Sequence, residues 1–273
     1  MPEIPDLESI RAILNRDLAG ATIESVEVLK PNVVRMAAGD FAARLTGVAI
    51  KTIDRYGKFL LFRLSSGDVL ALNAMLVGRL QHVDPSKKRG GRTCWVLGLS
   101  NGRELRYVDL RLMGKTYLVK ASEVGTIPQF VEMGPDVLDP AFSEDDFLER
   151  LRKYRGQVKN VLINAKFVAG IGNAYSDEIL FVAGTHPFTK VKDLDEGRRR
   201  RLYQAIHEVF DWATPIVAAE MGEATDKKPR DFLRVHRKGG ELCPVCGSTI
   251  SEVSPNKRTT SFCRTCQPGI TQI

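Results

Sequence analysis

The sequence predicts an α+β protein, in which a helix and antiparallel β-structure come first and a helical region with a four-cysteine module follows. Three observations support this fold class. Apolar residues recur at helical spacing at the start of the chain, short β-forming runs continue to about residue 120, and helical spacing returns beyond a stretch rich in Gly and Pro. With 273 residues and 43% hydrophobic content, the chain is long enough for two domains or for a domain and a module.

The first element is an amphipathic helix, which Asp6 precedes and Gly20 follows as plausible caps. Runs of β-forming residues then begin at Ala21. Turn signals such as Ser66-Gly67 and Asn101-Gly102 separate them. The runs include residues 23–28, 59–64, 69–72 and 116–119. This spacing is typical of an antiparallel sandwich or barrel.

A stretch from Gly125 to Pro140 interrupts both periodicities and is interpreted as a linker. Beyond it, Ser143 is expected to begin a helix, and further helices are expected over about 158–166, from near Asn173 and over about 195–221. We therefore predict an N-terminal β-domain at 1–122, a linker at 123–141, a helical domain at 142–238 and a four-cysteine module at 239–273.

The four cysteines near the end of the chain form two pairs, each with two intervening residues. Because this spacing lets both thiolates of a pair reach one tetrahedral ion, the pattern predicts a single zinc ion bound by Cys243, Cys246, Cys263 and Cys266. Four protein ligands leave no open position, so the ion is expected to be structural. Arg258 lies in a basic turn between the pairs, where the metal would hold it rigidly for contact with an anion.

The composition is compatible with such an anionic partner. Lys and Arg outnumber Asp and Glu by 40 to 33, which gives a formal net charge of +7 and favours nucleic acid or an acidic membrane surface. The sequence has no signal peptide and no apolar run long enough to span a membrane, so we expect a soluble, intracellular protein of the cytoplasm or nucleoid. Cys94, beside Trp95 in an apolar stretch, is interpreted as buried and reduced.

A segment with two glycines precedes the helix that starts near Asn173. Gly170 and Gly172 permit tight turns, and Asn173 is expected to cap the helix. Amide groups at a helix N-terminus bind phosphate, and the asparagine side chain can donate to the same anion. An ordinary connection between two helices explains the segment equally well.

Pro2 and Glu3 follow the initiator methionine. Removal of Met1 would leave Pro2 with a secondary amine, which can attack a sugar C1′ and form an iminium. An α-amino group titrates at about pH 8, so a useful fraction is unprotonated at neutrality. Glu3 could donate or accept the proton that opening of the sugar ring requires. Met-Pro-Glu is also a common start of a chain without any such function.

These motifs, in this order, resemble the formamidopyrimidine-DNA glycosylase and endonuclease VIII family of DNA repair enzymes over the whole chain. The resemblance rests on Pro2-Glu3, on Lys58 in Tyr56-Gly57-Lys58-Phe59, on residues 109–114, on residues 169–173 with Asp177-Glu178 and His186-Pro187, and on the four-cysteine module. It implies an N-terminal β-sandwich, a helix-two-turn-helix domain with a zinc ribbon of four cysteines, and damaged double-stranded DNA bound between the domains. We expect the protein to act as a monomer.

The resemblance also implies roles for individual residues. Pro2 would be the Schiff-base nucleophile of a DNA glycosylase with AP lyase activity, and Glu3 its general acid and base. The expected phosphate ligands around the extruded nucleotide are Lys58, Asn173 with the adjacent Gly172, and Arg258. Leu76 is the candidate wedge that fills the vacated stack, although packing on a core strand is an alternative for it. Arg111 would contact the orphaned partner base.

Features that bear on the damaged base favour different lesions. The short stretch from Met221 to Gly239 and the presence of Leu76 favour oxidised pyrimidines and ring-opened or hydantoin lesions, whereas Arg111 is typical of enzymes that prefer 8-oxoguanine. Asp6 and Asn164-Ala165 also depart from the residues common in the family.

Two alternative functions remain open on the sequence. One is a glycosylase that prefers 8-oxoguanine and formamidopyrimidines, and the other is a zinc-ribbon DNA-binding protein without catalysis, which would not need Pro2, Glu3 and Lys58. A zinc hydrolase is disfavoured because the sequence has no His/Asp/Glu cluster with an open metal position.

Overall fold

The computed structural model describes residues 1–269, apart from the side chain of Asn256. The chain divides into two units, one comprising Met1–Glu132 and Val217–Pro229 and the other comprising Met133–Ile216 and the residues from Arg230 onward. The domain boundaries given above stay predictions. Residues 270–273 of the predicted C-terminal module lie outside the described part of the chain.

The N-terminal unit is an antiparallel β-sandwich with helices α1 (Ile4–Leu18) and α2 (Ala38–Leu45). One sheet has the order β1 (Ile23–Val28), β6 (Thr93–Leu99), β7 (Glu104–Val108), β5 (Arg79–Val83). The other has the order β2 (Ile50–Tyr56), β3 (Phe59–Leu64), β4 (Asp68–Asn73), β8 (Lys115–Lys120). The sequence left a sandwich and a barrel open, and the structure is a sandwich.

The two sheets meet in an apolar core, and a hydrogen bond crosses it from one sheet to the other. Trp95 on β6 is fully buried, and its indole N–H donates to Oγ1 of Thr116 on β8 at 3.1 Å. The Trp95 ring also stacks on Tyr107, with ring centroids 5.6 Å apart. Cys94 beside it is buried as predicted, and burial raises the pKa of its thiol to about 11.

Helix α1 is attached to β2, an edge strand of its sheet. Asn15 donates to the carbonyl of Ile53 at 2.6 Å and accepts from the Ile53 N–H at 2.8 Å. The side chain therefore satisfies both backbone groups that an unpaired edge would expose. Glu8 of α1 also pairs with Arg55 of β2. These contacts fix the direction of α1 and hence the position of its first residues.

Two of the connections between the sheets run side by side. Residues 74–78 lead from β4 to β5, and residues 109–114 lead from β7 to β8. Asn73 is paired with Lys115 in one sheet, and Arg79 is paired with Val108 in the other. Both crossings therefore leave the sandwich at the same edge. We refer to them as the paired crossings.

The C-terminal unit contains α3 (Glu144–Arg152), α4 (Val158–Leu162), α5 (Asn173–Val182), most of α6 (Glu196–Met221), and a hairpin of β9 (Ser251–Val253) and β10 (Thr260–Phe262). As predicted, Ser143 caps α3, because its Oγ accepts from the Asp146 N–H at 3.2 Å. The hairpin module is packed on the end of α5, where Phe181, Val235 and Ile250 form a small core with two of the cysteines.

Some predictions of secondary structure were wrong. Helix α4 ends at Leu162 rather than near residue 166, because Asn164 accepts from the Lys166 N–H at 3.0 Å in a side-chain turn. Helix α2 was not predicted, and it buries only Phe41 and Leu45. Within the described residues, no helix is long and apolar enough to cross a membrane.

We expect Trp95→Ala to destabilise the sandwich by about 3–5 kcal/mol, because it removes a fully buried aromatic side chain and leaves a cavity. Thr116→Val, which removes only the acceptor of the indole N–H, should cost about 1–3 kcal/mol. Urea unfolding followed by circular dichroism measures both. Equal losses in the two variants would show that the hydrogen bond, rather than the packing, dominates at this site.

Candidate functional site

Pro2 and Glu3 are buried at the start of α1. The Glu3 N–H donates to Oδ2 of Asp6 at 2.8 Å, and the Glu3 carbonyl accepts from the Leu7 N–H at 3.0 Å. Glu3 is 4% exposed and Asp6 is 1% exposed. Asp6, which departs from the family's usual glutamate, therefore contributes to the first turn of the helix. The cap holds the Pro2-Glu3 pair in one position.

Lys58 lies on the turn between β2 and β3. Gly57 before it has φ +55°, a conformation that favours glycine, and Tyr56 is paired with Phe59 across the turn. Arg55 joins this turn to α1, because its guanidinium pairs with Glu8 and donates to the Gly57 carbonyl at 3.1 Å. The turn with Lys58 and the helix that starts at Pro2-Glu3 are thus linked through one arginine.

Pro2 borders an open pocket of about 380 Å³ in the N-terminal unit. Its floor is apolar and includes Leu60 and Leu72, which face each other on β3 and β4. Its rim carries positive charge, from Arg79 at the start of β5 and from Lys227 and Lys228. The sequence did not indicate that these cations and Pro2 share a pocket.

The environment of the pocket favours a neutral amine. The pKa of the Met1 α-amino group is lowered to about 4, chiefly because the group is buried and then because of the charge and hydrogen bond of Lys228. Arg79 acts in the same direction and Glu3 acts against it. Burial and the charge of Lys228 therefore disfavour the protonated form of the chain-terminal amine.

Two buried side chains inside the sandwich, Asp109 and Tyr107, support the paired crossings. Asp109 is fully buried, and its carboxylate accepts from the N–H groups of Arg111, Met113 and Gly114 at 2.7–2.9 Å. Tyr107 donates to the same carboxylate at 3.1 Å. A Cβ on Gly78 or on Gly114 would lie within 2.3 Å of the Tyr107 hydroxyl oxygen. Tyr107 and Asp109 therefore brace both crossings, and only glycine fits beside them.

The paired crossings present Leu76 and Arg111 to solvent. Leu76 is 37% exposed and lies in a turn, so its alternative role as a core residue on a strand is wrong. Arg111 is exposed, as is Leu110 beside it. Each crossing also holds a residue at positive φ, namely Met75 at 49° and Leu112 at 54°. Such strained backbone is typical of functional loops.

In the C-terminal unit, Gly172 and Asn173 form the start of α5. Gly172, not Asn173, is the cap, and Asn173 is the first helical residue, so the predicted cap was wrong by one position. The Asn173 side chain donates to the Thr259 carbonyl at 2.8 Å. Asn173 and Arg258 consequently line one polar pocket of about 420 Å³, although they are far apart in the sequence.

Asp177, fully buried on α5, holds this pocket together. Its carboxylate pairs with Lys159 of α4 at 2.6 Å and with Nδ1 of His236 at 2.7 Å. Lys159 in turn donates to the Thr259 carbonyl at 3.0 Å and to Oγ1 of Thr260 at 2.9 Å. The role of Lys159 was missed from the sequence, and the available signal was a lysine between Val158 and Val161 on an apolar helix face.

The four cysteines fit a tetrahedral metal site. All four Sγ atoms lie within 4.8 Å of one another, with 3.8 Å between Cys243 and Cys266 and 3.4 Å between Cys246 and Cys263. Zinc–sulfur bonds of about 2.3 Å place tetrahedral sulfurs about 3.8 Å apart. The cluster is therefore a structural site for one zinc ion, as predicted.

One unit carries a buried proline-glutamate pair and the other a polar pocket beside a four-cysteine metal site, and comparison with known proteins places this combination among DNA glycosylases. Residues 1–116 match the formamidopyrimidine-DNA glycosylase N-terminal domain, residues 133–224 its H2TH domain, and residues 240–269 a zinc finger found in FPG and IleRS. The chain belongs to the formamidopyrimidine-DNA glycosylase family of base excision repair. This confirms the resemblance seen in the sequence.

Individual relatives agree over nearly the whole chain. The chain is 34% identical to the formamidopyrimidine-DNA glycosylase of Desulforamulus reducens over 98% of its own length and 99% of the relative. It is 35% identical to that of Symbiobacterium thermophilum, covering 98% and 90%. A Lactococcus lactis Fpg complex with DNA containing an abasic site matches with a TM-score of 0.88 and 28% identity, covering 98% of this chain and 100% of that one. A complex of the same Fpg with DNA containing Fapy-dG gives a TM-score of 0.89 and 29% identity, covering 98% of this chain and 100% of that one.

We expect Cys263→Ser to lower the zinc content below one ion per chain and to unfold the β9–β10 module, because metal binding and folding are coupled there. Cys263 is fully buried beside Phe181 and Ile250, so the loss should extend to the end of α5. Elemental analysis and chymotrypsin digestion measure the two effects. Cys94→Ser serves as the control and should keep its zinc, and a fully metallated Cys263→Ser protein would contradict the assignment.

Proposed function

We propose that this protein is a bifunctional DNA glycosylase and AP lyase that removes oxidised bases from double-stranded DNA and then cleaves the strand. The observation that carries the proposal is the buried Pro2-Glu3 pair beside a pocket that disfavours a protonated amine. A protein that only binds DNA gains nothing from burying a carboxylate next to the chain-terminal amine. We further propose that it works in the cytoplasm or nucleoid as a monomer.

In the proposed reaction, removal of Met1 exposes the Pro2 amine. Its lone pair attacks C1′ of the damaged nucleoside, and the bond from C1′ to the base breaks; the electron pair and the proton released from the Pro2 nitrogen go to the base. Glu3 protonates O4′ as the sugar ring opens, which gives an iminium between Pro2 and C1′. Loss of a proton from C2′ then expels the 3′ phosphate by β-elimination, and δ-elimination follows at the 5′ side. Water hydrolyses the remaining iminium and frees Pro2.

The chemistry requires the nucleotide to leave the base stack, and the proposal assigns the residues that hold the DNA in that state. Asn173 and Arg258 bind phosphates in their shared polar pocket, with Gly172 positioning the helix start behind them. Lys58 binds a further phosphate from its turn. Leu76 fills the vacated space, and Arg111 contacts the partner base.

Ring-opened and oxidised bases are the proposed substrates, with a preference for oxidised pyrimidines and hydantoins over 8-oxoguanine. Residues 222–229 belong to the N-terminal unit, and Thr225 and Asp226 within them are hydrogen-bonded to β5, which restricts how far the segment can fold over a large purine. The names of the relatives support ring-opened formamidopyrimidines as substrates. The runner-up is an enzyme that prefers 8-oxoguanine, which the exposed Arg111 favours.

Borohydride should trap this protein on duplex DNA that contains an abasic site, with the adduct on Pro2. A variant with one uncleaved residue before Pro2 should lose trapping entirely, because its terminal nitrogen is no longer the proline amine. Peptide mapping of the adduct decides the point. Equal trapping of the extended variant, or an adduct on a lysine, would show that another nucleophile is used.

Arg258→Ala should weaken binding to all DNA sequences alike and reduce the slope of log K against log salt by about 0.9, the contribution of one phosphate contact. Arg198→Ala is the matched control, since Arg198 is exposed and paired with Asp195. Fluorescence anisotropy across a range of salt concentrations measures the slope. An unchanged slope in Arg258→Ala would place this side chain away from the DNA backbone.

Single-turnover excision should be faster on thymine glycol, 5-hydroxycytosine and a hydantoin than on 8-oxoguanine opposite cytosine. Lesions that stack and pair poorly also cost less to extrude, which acts in the same direction. Matched duplexes that differ only in the lesion provide the comparison. Fastest excision of 8-oxoguanine would favour the runner-up and leave the roles of Pro2 and Glu3 intact.

A further inference from the structure

The segment that follows α6 is fixed on the N-terminal sandwich. Thr225 is 1% exposed and donates through Oγ1 to the Leu80 carbonyl at 2.9 Å. Gln81 donates to Oδ2 of Asp226 at 2.7 Å, and Glu223 pairs with Arg16 of α1. These contacts attach residues 223–226 to both β5 and α1. The two residues that come next, Lys227 and Lys228, are thereby held at the pocket of Pro2.

Lys228 lines the pocket together with Pro2, and after burial its charge is the largest cause of the lowered pKa of the Met1 α-amino group. The other charged groups at the pocket are Glu3, which caps α1, Asp6 within α1, Arg79 from β5, and Lys227. Asp6 is engaged with the Glu3 N–H. The terminal nitrogen therefore faces cations from two separate elements.

We propose that Lys228 is a positioning residue for the nucleophile: its ammonium group, held over the pocket by residues 223–226, opposes a second positive charge on the neighbouring nitrogen of Pro2. The inference rests on the proposed function of Pro2. A nearby cation raises the free energy of the protonated amine by Coulomb repulsion, and a pocket with apolar walls screens this repulsion poorly. Pro2 then keeps its lone pair at pH values where an exposed amine would be protonated. Since the lowered pKa disfavours the charged form, the effect should matter most in mildly acidic solution.

The test is the pH dependence of single-turnover borohydride trapping on abasic-site DNA, with full-length protein whose loss of Met1 is verified by mass spectrometry. Saturating protein separates the trapping rate from binding. Lys228→Gln should move the pH of half-maximal rate upward by about one unit, with little change at high pH. Lys228→Arg should restore the original profile. Lys51→Gln, an exposed lysine on β2, is the charge-matched control and should leave it unchanged.

Three results would overturn the inference: an unchanged pH profile in Lys228→Gln, a rate lowered equally at all pH values, or failure of Lys228→Arg to restore the profile. The second result would show that Lys228 supports the bound complex without changing the protonation of Pro2. Absence of trapping by the wild-type protein, or an adduct on a residue other than Pro2, would refute the proposed function itself. The two failures are therefore distinguishable.

Discussion

The pocket of Pro2 and the polar pocket of Asn173 and Arg258 both depend on charged side chains that partners on other elements hold in place. Asp177 is fully buried, and an unpaired carboxylate at such a position would cost several kcal/mol. Lys159 and His236 offset this cost, and the Ser261 N–H donates to the same carboxylate at 3.3 Å. These partners come from α4, from the segment after α6 and from β10. The polar pocket of Asn173 and Arg258 therefore exists only when all three elements are in place.

The same constraint acts at Glu178, the next residue of α5. Its carboxylate is fully buried, which raises its pKa, and it accepts from the backbone N–H groups of Arg234, Val235 and His236 at 2.9–3.0 Å. A carboxylate that binds three successive amides fixes the course of the chain into the zinc module. Asp177 and Glu178, which are adjacent on α5, thus hold the chain that enters the zinc module: Asp177 binds the His236 side chain, and Glu178 binds three backbone N–H groups. The N-terminal pocket differs, since three cations, Arg79, Lys227 and Lys228, line it together.

The sequence was sufficient for features whose causes are local. Ser143 caps α3 because its side chain reaches the backbone N–H of Asp146, three residues later in the sequence. The cysteine spacing predicted the metal site because two intervening residues let both thiolates of a pair reach one ion. Pro2 and Glu3 were found through the family resemblance, since no local pattern marks them as reactive. The position of Lys228 could not be predicted, because it depends on two hydrogen bonds to a strand far away in the sequence: Thr225 donates to Leu80, and Asp226 accepts from Gln81. The cap of α5 was misplaced because glycine and asparagine are both good caps and stand side by side.

The paired crossings have a consequence for how such proteins can be redesigned or can diverge. Each crossing is anchored in both sheets, and the hydroxyl of Tyr107 lies against a glycine of each. A longer or bulkier replacement in one crossing would displace Tyr107 and so disturb the Asp109 carboxylate that supports the other. The two crossings with Tyr107 and Asp109 therefore behave as a single cassette. If both crossings are transferred together into a related protein, they should keep their conformation. A graft of either crossing alone should disturb the contacts of Tyr107 and Asp109 and so destabilise both.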